Sequence, residues 1–119
     1  MRVLVMVKAT QESEAGRFEP AWTQEMMAAM GRFNDALREA GVLIMAEGLA
    51  ASDQGKLIVF DGASREIIDG PFTPSEELVA GFWLWEVKDM DEALDWGRRC
   101  PNPMPVPSVI EIRPIHEHR

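Results

Sequence analysis

The segment Gly81-Phe82-Trp83-Leu84-Trp85-Glu86-Val87 constrains this chain most. Successive side chains of a strand point to opposite faces, so Phe82, Leu84 and Glu86 share one face and Trp83, Trp85 and Val87 the other. Both faces carry large apolar groups. Arg2 to Lys8 is short, rich in β-branched residues and built the same way, with Val3, Val5 and Val7 against Leu4 and Met6. A sheet made from these strands needs cover on both sides.

One cover comes from helices. Trp22, Met26, Ala29, Met30, Phe33, Leu37 and Ala40 recur in steps of three and four, which predicts one face of a long helix. Pro20 suits its first turn and Gly41 its stop. Thr10 to Glu19 is polar and reads as an exposed loop. Val42 to Leu49 reads as a second strand and Leu57 to Phe60 as a third. Asp61-Gly62 signals a turn, after which Glu66 to Ile68 returns as a short paired strand. Thr73-Pro74-Ser75-Glu76 fits a capping box and one helical turn through Leu78. Asp89-Met90-Asp91-Glu92 resembles a second capping box, opening a helix through Ala93, Leu94, Trp96 and Gly97. Arg98 and Arg99 sit in its last turn, where positive charge complements the helix dipole. Pro101, Pro103, Pro105 and Pro107 make a stiff connector, and Val109 to Ile115 is the last strand. The tail from His116 is expected to fray.

The order β-α-β-β-β-α-β is an α+β, split βαβ, ferredoxin-like pattern with an antiparallel sheet and a small extra hairpin strand. The 119 residues make a single domain, 1–119. Two helices cover one sheet face, and the other is too apolar for a soluble monomer. The simplest remedy is a second copy packed sheet to sheet, so a homodimer is expected; the alternative is cover by loops.

A net charge of -8 argues against nucleic acid or an anionic membrane as partner. The apolar run at the start is too short for a signal peptide or a membrane helix, and the one cysteine, Cys100, fits a reducing compartment. The expected location is therefore the cytoplasm. No metal and no organic cofactor are expected. His116 and His118 lie in the tail without a supporting shell, and no Gly-rich phosphate loop or Cys-x-x-Cys occurs.

Asp69-Gly70-Pro71-Phe72, Gly81-Phe82-Trp83-Leu84, Asp91-Glu92-Ala93-Leu94, Cys100-Pro101 and Glu111-Ile112-Arg113-Pro114 together resemble the YCII-related family, in its DGPF branch. Glu47-Gly48-Leu49 fits as well. The resemblance covers nearly the whole chain. It implies a dimeric α/β barrel, ferredoxin-like in each subunit, with a cleft beside the sheet. It also implies that activity is mostly unestablished, with lyase-like steps in aromatic breakdown in some relatives and sigma-factor association in others. Many members of the wider family carry a His in the first helix, paired with an Asp. Aligned on Gly41, that position is Met30 here, so the dyad chemistry does not transfer.

The candidate site residues are few. Glu47 ends an apolar strand and is a candidate for proton transfer, or else a strand-end partner of an Arg. Asp69 either presents a carboxylate into a cleft or caps a turn. Arg113 and Lys8 are candidates to hold an anionic substrate, against a structural salt bridge to Glu47, Glu86 or Glu111. Trp83 is a candidate to stack on an aromatic ligand, against packing in the core. Met26, Met27 and Met30 read as helix packing, and Cys100 as a small hydrophobic residue at a helix end. The expectation is that Glu47, Asp69 and Arg113 surround one pocket on the non-helical side of the sheet. The leading expectation is a small-molecule-binding protein, with cofactor-independent lyase-like or isomerase-like chemistry on a small aromatic or anionic compound as its enzymatic form. The alternative is a non-catalytic interaction module working with a transcription regulator.

Overall fold

The computed structural model of the chain describes residues 1–72 and 77–117. Its elements are β1 (Arg2–Lys8), α1 (Gln11–Ala15), α2 (Pro20–Glu39), β2 (Leu43–Gly48), a 3-10 turn (Ser52–Gln54), β3 (Lys56–Asp61), β4 (Ser64–Asp69), β5 (Val79–Glu86), α3 (Met90–Arg99) and β6 (Ile110–Pro114). The main sheet is antiparallel, in the order β2-β5-β1-β6. Two central strands with both α2 and α3 on one face make the ferredoxin-like arrangement.

Strand alternation sorts the residues as their chemistry requires. Val3, Val5 and Val7 of β1 and Trp83 and Trp85 of β5 are buried on the helix-covered face. They pack with Phe33 and Leu37 of α2 and with Ala93 and Trp96 of α3. Phe33 is the hub. Its ring meets Trp83 at 5.9 Å, Trp85 at 6.2 Å and Trp96 at 6.4 Å, all edge to face, the geometry that aromatic quadrupoles favour. Gly97 lets α3 approach β6, since a Cβ there would lie 3.2 Å from the Ile112 side chain.

Helix ends follow local chemistry. Pro20 opens α2, and Gly41 just past its end takes φ +74. Asp89 caps α3 by accepting from the Glu92 N–H. Glu92 reaches back past the cap to accept from Lys88 N at 2.7 Å, one residue further than an ordinary capping box.

Three expectations are corrected. The segment Thr10 to Glu19 is not all loop: Thr10 accepts from Ser13 N and Ser13 Oγ accepts from Thr10 N, and this capping box nucleates α1. The third strand and its short return form a separate two-stranded ribbon, β3 with β4, with no pairing to the main sheet. The tail does not fray at His116, because Arg2 donates to both carboxylate oxygens of Glu117 at 3.0 and 3.1 Å. That bond holds the Glu117 carboxyl below its ordinary range. The capping box at Thr73 to Glu76 lies outside the described residues.

Candidate functional site

Only the C-terminal half of α2 closes on the sheet. Phe33 and Leu37 are its buried residues, and Met26, Met27 and Met30 precede them by one and two turns. Over those first turns a cleft of about 350 Å3 opens between α2, the β2–β5 edge of the sheet and the loop that follows α3. Ala46, Trp83 and Val7 floor it, the three methionines of α2 form one wall, and Pro103 and Met104 form another. The reading of those methionines as packing is thus incomplete: they hang over a gap that the sheet leaves open.

The polar groups are few. Asn34 Oδ1 accepts from Trp83 Nε1 at 2.8 Å, which orients both side chains at the cleft wall. Among the described lining residues Glu47 is the single ionisable one. It pairs across β5 with Phe82, while its neighbour Ala46 pairs with Trp83. Glu47 therefore shares the open face with Phe82, opposite Trp83, and borders the cleft only along the edge strand. The loop wall is held from Asn102, whose Nδ2 donates to Val106 O and whose Oδ1 accepts from Met104 N and Ser108 Oγ. These bonds bury Met104. Its sulfur accepts from Thr10 Oγ1 at 3.5 Å.

The sequence-based candidates scatter. Glu47 and Trp83 line the cleft, and Asp69, Arg113 and Lys8 do not. Glu47 and Arg113 lie on opposite edge strands, three strand spacings or roughly 14 Å apart. Asp69 ends β4 in the separate ribbon and pairs with Lys56 at 2.6 Å, both exposed. Among the described residues it is a cross-strand ion partner of Lys56. Arg113 lies 3.7 Å from Glu111, and Lys8 lies 3.8 Å from the same carboxylate. Trp83 is buried in the core, as its packing reading expects, and also forms part of the cleft floor. Burial pushes the Cys100 thiol up to about 11, which keeps it protonated and unreactive at neutral pH.

The turn between β4 and β5 is built from backbone contacts. Gly70 N donates to Gly55 O at 3.0 Å and Phe72 N donates to Ser52 Oγ at 2.9 Å. Ser52 in turn donates from its backbone and its hydroxyl to the Glu14 carboxylate. A Cβ on Gly70 would fall 1.7 Å from Ser52 O, so no other residue fits this turn as built.

The model of the YCII-related domain matches residues 1–119. The chain belongs to the YCII-related domain family. An uncharacterized protein of Rhizobium meliloti (strain 1021) is 29% identical over 99 residues, covering 80% of each chain. Within this YCII-related chain Met30 lines the cleft directly.

Proposed function

We propose that this chain, in the DGPF branch of its family, binds a small, flat, largely apolar molecule in the cleft under the first turns of α2. The observation that carries this reading is the lining. Met26, Met27, Met30 and Met104 surround an indole floor, and thioethers adapt to the faces and edges of aromatic rings. Asn34 supplies an amide suited to a hydroxyl or N–H on the ligand. Of the two ligand classes expected, the lining favours the neutral aromatic over the anion. The nearest described candidate cations, Lys8 and Arg113, are engaged with Glu111 on the other face, and Glu47 would repel a negative charge at the rim. The protomers are proposed to pair through the open sheet face.

A fragment titration read by tryptophan fluorescence and thermal shift tests this. Neutral aromatic alcohols should bind about tenfold or more tightly than the matching carboxylates, a difference of about 1.4 kcal/mol. Met26→Glu should abolish the binding, and Glu47→Gln should narrow the gap between alcohol and carboxylate. Equal binding of both classes, or binding indifferent to Met26→Glu, would remove the cleft as the site.

A further inference from the structure

The cleft is so largely apolar that its few hydrogen-bonding atoms decide what it accepts, and those atoms are not equivalent. The indole N–H of Trp83 donates and has no acceptor capacity. The Asn34 atom 2.8 Å from it is therefore the carbonyl Oδ1, since turning the amide over would set two donors against each other. That one bond commits both groups. The Trp83 N–H is spent, the Asn34 carbonyl is engaged, and Asn34 Nδ2 is left with no hydrogen-bond partner among the described residues. The other described side chains of the lining are hydrocarbon, aromatic ring, thioether or the Glu47 carboxylate, and none of these donates. Asn34 Nδ2 is thus the one unspent side-chain donor of the described lining.

We propose that Asn34 Nδ2 selects the ligand, and that the cleft takes neutral aromatic compounds carrying an oxygen acceptor, with aryl ketones, aldehydes and esters the best fit. This rests on the cleft reading above and narrows it. A ligand oxygen that leaves water for an apolar cleft needs a donor in return, and Nδ2 supplies it. A hydroxyl meets Nδ2 only through its oxygen. A ligand N–H finds thioether sulfur, which is a weak acceptor, or the already engaged Oδ1. The donor is also held in place before any ligand arrives. Asn34 follows Phe33, the buried hub of the core, on α2, and its amide plane is fixed by the buried Trp83. Little side-chain freedom is then lost on binding, which favours a ligand that matches this geometry.

The test uses three neutral probes, followed by ligand-observed NMR titration of the full chain. Acetophenone carries the acceptor. α-Methylstyrene has nearly the same shape, with a methylene group in place of the carbonyl oxygen. Indole only donates. Asn34→Asp keeps the size of the side chain and an acceptor for Trp83 while removing the amide donor. In that variant acetophenone should lose about tenfold in affinity relative to α-methylstyrene, and indole should bind no more weakly relative to α-methylstyrene than before. Near-UV circular dichroism checks that the tryptophan cluster keeps its packing. Infrared spectroscopy of the wild type needs no variant: the C=O stretch of bound acetophenone should lie below its value in hexane. A ratio of acetophenone to α-methylstyrene affinity that Asn34→Asp leaves unchanged, or a bound stretch at the hexane value, overturns the donor assignment and leaves the cleft reading standing. A wild type that binds none of the three overturns the cleft reading and this inference with it.

Discussion

Trp83 and Trp85 stand two residues apart on β5, both buried on the same face, and their indole N–H groups are treated differently. Trp83 Nε1 donates to Asn34, whereas Trp85 Nε1 is fully buried with no hydrogen-bond partner among the described residues. A buried donor left unpaired costs about 1–3 kcal/mol, and a paired one contributes about 1 kcal/mol. Replacing either Trp by Phe removes similar volume from one aromatic cluster, so the difference between the two reads the N–H alone. Trp83→Phe should cost about 1–2 kcal/mol more than Trp85→Phe in urea unfolding, because it breaks a bond and strands Asn34. Equal losses would mean that the Trp85 indole has found a partner. Asn34 is also where the residue scale meets function, since the bond that fixes Trp83 shapes the cleft floor.

Among the elements, the proline loop shows how a segment without regular pairing becomes a wall. One side chain, Asn102, gathers Val106 O, Met104 N and Ser108 Oγ. Asn102→Ala should therefore cost about 1–2 kcal/mol and free Met104 from its buried seat. Faster amide exchange across 103–108, with β1 and β5 unchanged, would show it; unchanged exchange in that loop would mean that the prolines alone hold it. Elements with a strong period were legible in the sequence. The stripe from Trp22 to Leu37 with Pro20 and Gly41 predicted α2 closely, and the alternation in β1 and β5 sorted their residues onto two apolar faces without saying which one the helices cover. What the sequence hid depends on distance between elements. Met26 and Met30 carry the helical period whether the sheet lies against them or not, so periodicity cannot distinguish packing from a cleft. Leu57 to Phe60 reads as a strand in any setting, and nothing local says that it leaves the sheet. Glu47 was legible as a strand-end carboxylate. Its supposed partners Asp69 and Arg113 were not placeable, because strand order puts one on the ribbon and the other on the far edge.

At the scale of the whole molecule, apolar surface and charge are segregated. The chain is thin, 47 × 46 × 19 Å, with helices on one side and an open sheet face on the other. No described helix is long and apolar enough to cross a membrane. On the sheet's open face Arg2, Lys8 and Arg113 stand with Glu47, Glu86 and Glu111, so the excess behind the net charge of -8 lies elsewhere. Two copies that meet through this face must still bring two negative bodies together. At low ionic strength that repulsion reaches across the complex, with a screening length of about 30 Å at 0.01 M and about 10 Å at 0.1 M. Salt should then tighten the dimer. Raising sodium chloride from about 0.01 M to about 0.2 M should lower the dissociation constant by threefold or more, since screening removes repulsion without touching the apolar contact. An interface held by ion pairs between protomers would behave in the opposite way, loosening as those pairs are screened. The sign of the slope, measured by sedimentation across a salt series, therefore decides between an apolar contact made despite the charge and an electrostatic one made by it. A dimer that loosens with salt would mean that Arg2, Lys8 and Arg113 face carboxylates of the partner and are not balanced within their own sheet.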